Sequence, residues 1–130
     1  MCDIVSQHLP TVHCYADDTQ LHLAFRPGDR ATQDSAVGTM EACIRDVREW
    51  MIKYRLRINE DKSEVVLIST QVKLEKVDID NLAVGESCIS PSTEAIRNLG
   101  AWFDANFTIS THITKTCKAG FFYLYNISSK

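Results

Sequence analysis

The sequence predicts an α+β fold: a mainly antiparallel sheet with one long packing helix. Three observations carry that expectation. Two runs of alternating residues, TVHCY and TQLHLAF, stand either side of a two-aspartate break, the pattern of a hairpin. Apolar residues at three- and four-residue spacing run from Val37 to Tyr54, the pattern of a helix. Strand-like segments and a second helical stretch then follow in blocks, an order that favours antiparallel pairing over alternating βαβ units.

Taken in order, the first nine residues read as a short helix or a frayed turn. In the hairpin, residues 11–25, Val12 and Cys14 share one face with Leu21, Leu23 and Phe25 as partners on the return strand. His13, Tyr15, Gln20 and His22 line the other face. Pro27 and Gly28 break the alternation. A helix is expected over 31–55, its buried stripe made of Val37, Met40, Cys43, Ile44, Val47, Trp50, Met51 and Tyr54. Lys53, Arg55 and Arg57 gather at its end, where the helix dipole is negative.

Strands are expected over 64–104. VVLIS, residues 65–69, is short and wholly apolar, as a strand inside a sheet would be. VDIDNLAVGESCIS alternates around Gly85 as a second hairpin, which Pro91 ends. AIRNLGAWFD reads as one more strand, its Gly100 marking a kink or a close backbone approach. From Ser110 onward, Ile113, Cys117, Phe121, Leu124 and Ile127 form the stripe of a closing helix. Trp50 and Trp102 read as packing residues, not as platforms for bases.

At 130 residues and 45% hydrophobic content the chain suits one globular domain. A net charge of −3 provides no basic field to attract nucleic acid to the chain on its own. The five cysteines are scattered, with no metal-clip spacing, so free thiols in a reducing compartment are expected and a zinc site is not. No apolar run reaches membrane-spanning length and no targeting signal stands out, so the chain is expected to be soluble and intracellular, with no membrane partner.

Asp17 and Asp18 fall at the hairpin tip. On a flat strand they would point to opposite faces, so they can serve one site only where the backbone turns. Two carboxylates held close disfavour joint ionisation, and a divalent cation reverses that. Oxygen ligands of this kind suit Mg²⁺ (or Mn²⁺) shared with substrate phosphates, and two such ions about 4 Å apart can clamp a phosphoryl transfer. The plain alternative is a solvated turn, since aspartate is also a good turn residue. His13 and His22 flank the tip on the polar face, but imidazole prefers softer ions than Mg²⁺.

YADDTQLHLAF, then WMIKYRLRINEDKSEVVLIS, then ISPSTEAIRNLGAWFDANFTISTHITKTCKAGFFYLYNIS resemble, in order and spacing, the reverse transcriptases of non-LTR (LINE-type) retrotransposons. The resemblance runs from about Ile4 to the C-terminus. It implies that residues 1–104 are part of a polymerase palm, with a catalytic hairpin over 11–25, and that 105–130 open the thumb. Tyr15 to Asp18 would be the catalytic tetrapeptide, Asp17 the metal-bridging carboxylate and Asp18 its neighbour. NEDKSE would place Lys62 near the triphosphate as general acid, a role that a mobile ammonium can fill. NLGAWFD would contact the primer end through Asn98, Leu99 and Gly100, with Tyr15 also facing nucleic acid. The partners implied are an RNA template, a DNA primer and deoxynucleoside triphosphates.

The same resemblance implies a further essential aspartate upstream, together with the fingers, and Tyr15 lies too close to Met1 for either. Weak magnesium binding and no polymerisation by these residues alone are therefore expected. The rival expectations are a non-catalytic α+β binding or scaffold module derived from such an element, and an independent metal-dependent phosphoesterase built on Asp17 and Asp18.

Overall fold

The computed structural model describes residues 1–15, 18–92, 94–98, 101–106 and 108–128. The fold is α+β. Helix α1, Cys2–His8, packs against a hairpin of strands β1, Thr11–Tyr15, and β2, Asp18–His22. Helix α2, Arg30–Lys53, follows, then a short 3-10 turn, Glu60–Lys62, and helix α3, Gln71–Leu74. Strands β3, Leu82–Val84, and β4, Ser87–Ile89, form a second hairpin, and β5, Ile96–Asn98, and β6, Ala101–Phe103, a third. Helix α4, Ile109–Ser128, closes the chain.

The long helix lies where the apolar stripe placed it. Asp29 caps its start, its carboxylate accepting from the Ala31 amide at 3.1 Å. Its end is a Schellman closure: the Leu56 amide donates to the Met51 carbonyl at 2.8 Å and the Arg55 amide to the Ile52 carbonyl at 3.0 Å. That geometry puts Arg55 at φ 57°, in left-handed territory that usually falls to glycine. Cys43, Ile44 and Val47 are buried, but Tyr54 is 58% exposed and does not extend the buried stripe. Its ring instead leans on Trp50, with centroids 4.7 Å apart.

The core is two adjoining clusters. In the first, Val5 and Leu9 of the N-terminal segment bury against Cys43 and Val47 of α2, with Val12, Leu21 and Leu23 of the hairpin packed alongside. In the second, Ile44 meets Leu82 and Val84 of β3, flanked by Ile58 and Val65. Leu21 and Met40 touch both. One polar side chain is buried among the described residues: Gln33 donates to the Lys76 carbonyl at 3.1 Å and accepts from the Asp78 amide at 2.7 Å. This satisfies its carboxamide and fixes the loop ahead of β3.

Three expectations are corrected. The sheet is not continuous: the described strands form three separate two-stranded antiparallel ladders. VVLIS is not a strand. Its run is extended, but its backbone finds two different neighbours, the Val65 carbonyl accepting from Ser92 at 2.8 Å and the Ser69 amide donating to Ala105 at 2.9 Å. Of this run Val65 packs against the second cluster, while Ile68 is 52% exposed. AIRNLGAWFD is two strands rather than one kinked strand, with Ile96 opposite Phe103 and Asn98 opposite Ala101. The kink or close approach expected at Gly100 lies outside the described residues.

Helix α4 forms as expected, yet Ile113 and Phe121 are 55% and 70% exposed, and Cys117 is exposed as well. The Leu124 and Ile127 side chains lie outside the described ones. No described helix is long and apolar enough to cross a membrane.

Candidate functional site

The first hairpin is built by alternation. Val12 pairs with Leu21 and Cys14 with Thr19, while Thr11 pairs with His22 and His13 with Gln20. Cross-strand partners share a face, so Val12 and Leu21 point to the core together and the histidines point away together. The His13 and His22 rings meet edge to face, with centroids 5.4 Å apart.

The last rung of this ladder is Tyr15 opposite Asp18, which puts Asp18 at the tip, exposed, on the histidine side. The expectation for Asp17 falls outside the described residues. Among the described residues Asp18 forms no ion pair. Its carboxylate oxygens are of the type a hard divalent cation takes. However, no group of three or more His, Cys, Asp or Glu among the described residues is placed to hold a metal ion.

Lys62 ends the 3-10 turn Glu60–Lys62 and is exposed, its amide donating to the Asn59 carbonyl at 3.2 Å. No ion pair among the described residues joins it to Asp18. Beside it, Arg57, Ile58, Asn59, Glu60 and Asp61 line an open hollow of about 480 Å³. Glu60 is tied down elsewhere: its carboxylate accepts from the Ser87 hydroxyl at 2.7 Å and from the Glu86 amide at 3.3 Å. The Ser87 bond, with the Glu86 amide and Arg48 assisting, holds its carboxyl below the usual carboxylate range.

Asn98 is the last residue of β5, half-buried and opposite Ala101. Leu99 and Gly100 lie outside the described residues. The hairpin they join is anchored to α4: the Trp102 amide donates to His112 Nδ1 at 3.3 Å, and Lys115 Nζ sits 3.2 Å from the centre of the Trp102 ring. Trp102 is thus a packing residue. Asp104 orders the turn ahead of α4, accepting from the Thr108 amide at 2.9 Å, the Asn106 amide at 3.1 Å and the Thr111 hydroxyl at 3.2 Å. The Thr108 bonds lead in holding the Asp104 carboxyl below its ordinary value. Sequence reasoning passed over this residue, though Asp104 with two threonines close downstream is a helix-start signal. No protein-family model, curated protein or solved structure matches the chain.

Proposed function

We propose that this chain is part of the reverse-transcriptase domain of a non-LTR retrotransposon, residues 1–104 from the palm and 105–130 from the start of the thumb. The observation that carries the reading is the tetrapeptide Tyr-Ala-Asp-Asp at the end of a two-stranded antiparallel ladder, with Tyr15 and Asp18 as its last rung. In a polymerase of this class the two aspartates hold Mg²⁺, which supplies charge stabilisation for nucleotidyl transfer onto a primer paired with an RNA template. Asp17 and Asp18 would bind and orient the ion, Lys62 would give a proton to the departing pyrophosphate, and Asn98, Leu99 and Gly100 would hold the primer end.

Titration with Mn²⁺, followed by paramagnetic broadening of backbone amide signals, tests this. Broadening should centre on the tip between Tyr15 and Thr19 and disappear in the Asp17→Asn, Asp18→Asn double variant. Broadening that centres elsewhere, or that survives in the variant, overturns the assignment. With no group of three or more His, Cys, Asp or Glu placed to hold a metal ion among the described residues, the 130-residue polypeptide should bind Mn²⁺ weakly and leave a primer on an RNA template unextended.

A further inference from the structure

We infer that Cys2 and Cys14 form a thiol-oxidation site, at which a peroxide closes an intramolecular disulfide stapling α1 to β1. Their sulfurs lie 3.6 Å apart, and both residues are exposed. The proximity follows from the lengths of the two elements. The chain descends α1 to Leu9, turns at Pro10 and climbs back along β1. Cys2 to Leu9 is about 10 Å of helix at roughly 1.5 Å per residue. Thr11 to Cys14 is about 10 Å of strand at roughly 3.3 Å per residue. The two legs match, so the top of the helix returns beside Cys14. Buried Val5 and Leu9 hold the legs together with Val12, which shares the Cys14 face.

The remaining cysteines lack this arrangement. Cys43 is buried, and Cys88 and Cys117 are exposed with no sulfur–sulfur contact among the described residues. Desolvation raises the Cys14 thiol above its ordinary value, and the neighbouring Cys2 sulfur adds to this. Both sulfurs are exposed, so either can meet the peroxide first, with the same bridge as the outcome.

Where Cys2 reacts first, its thiolate attacks one peroxide oxygen and the O–O bond breaks. This gives a sulfenic acid at Cys2, and the released hydroxide takes up a proton as water. The Cys14 sulfur then attacks Cys2 Sγ, the S–O bond breaks, and a second water leaves with the Cys14 proton. Two thiols lose two electrons, and one peroxide becomes two waters.

This inference depends on α1 and β1 alone and stands apart from the polymerase reading. The test treats the intact chain at low concentration with hydrogen peroxide, then counts free thiols under denaturing conditions and maps cross-linked peptides. Reactive thiols should fall from five to three, with a mass loss of about 2 Da, in a monomer whose one cross-linked peptide joins Cys2 to Cys14. A thiol reductant should restore all five. The Cys88→Ser, Cys117→Ser variant should still lose two, whereas Cys2→Ser and Cys14→Ser should lose none to an internal bridge. Circular dichroism checks that each variant is folded. A bridge mapping to another pair, retention of all five thiols, or an equal loss in Cys2→Ser overturns the proposal.

Discussion

Glu60 occupies the space that a side chain at Gly85 would need: a Cβ built there would collide with Glu60 Oε1. Gly85 also sits at φ 65°, which favours glycine. The carboxylate can come this close, and reach the Ser87 hydroxyl and Glu86 amide beyond, because the turn carries no side chain. Gly85→Ala should destabilise the fold by about 1 kcal/mol from the backbone alone and further by evicting Glu60. In a double-mutant cycle by urea unfolding, its cost should shrink when Glu60 is already alanine. Equal costs in both backgrounds would mean the two do not interact.

The carboxyls of Asp29, Glu60 and Asp104 are all held below their ordinary values, chiefly by bonds from Thr32, Ser87 and Thr108 respectively. A group whose folded pKa is depressed binds protons less readily than in the unfolded chain. Its stabilisation is therefore complete above the unfolded value near 4 and drains away as pH falls through the lower folded value. The thermal midpoint should stay level from pH 7 to about 5 and drop below about 4. The drop should be smaller in Glu60→Gln.

Gln33 is 3% exposed and spans two backbone groups, accepting from Asp78 and donating to Lys76. Gln33→Ala leaves the Asp78 amide without its side-chain acceptor and opens a void, and should cost about 2 kcal/mol in urea unfolding. Faster hydrogen exchange at Asp78 is the specific signature, which a general loss of packing would not single out.

Arg55 holds a left-handed backbone at the α2 terminus, and its side chain is exposed. Arg55→Gly should therefore stabilise the fold by about 1 kcal/mol, while Arg55→Val should destabilise it. Thermal midpoints of the two variants, moving in opposite directions, check this.

Much of the fold could be read before any coordinates, for identifiable reasons. The α2 stripe repeats often enough to define one face, and the alternation from Thr11 to Leu23 sorts core from solvent on the first hairpin. The hairpin around Gly85 was legible for the same reason. What escaped reading depends on partners distant in sequence. Glu60 meets Ser87 27 positions away, and Gln33 meets Asp78 45 away, and neither bond leaves a local pattern. VVLIS misled because an aliphatic run signals a buried strand whether or not ladder partners exist, and here Val65 packs against a cluster while Ile68 stays exposed. At the candidate site, the sequence placed Asp18 beside a chain reversal, and that is where it lies. It could not establish any relation between Lys62 and the tip, because nothing local fixes the path between α2 and β3.

The first hairpin behaves as a cantilever. Its base is clamped where Val12, Leu21 and Leu23 enter the core, and Leu21 engages both clusters. Its outer rungs are Cys14 with Thr19, where Cys2 of α1 brings its sulfur to 3.6 Å from that of Cys14, and Tyr15 with Asp18; Cys14, Asp18 and Thr19 are exposed. Asp18 belongs to neither core cluster, so the end that bears it is positioned by the ladder and not by the core. A cation docking at Asp18 would therefore draw its hold from the ladder's own bonds rather than from the hydrophobic interior.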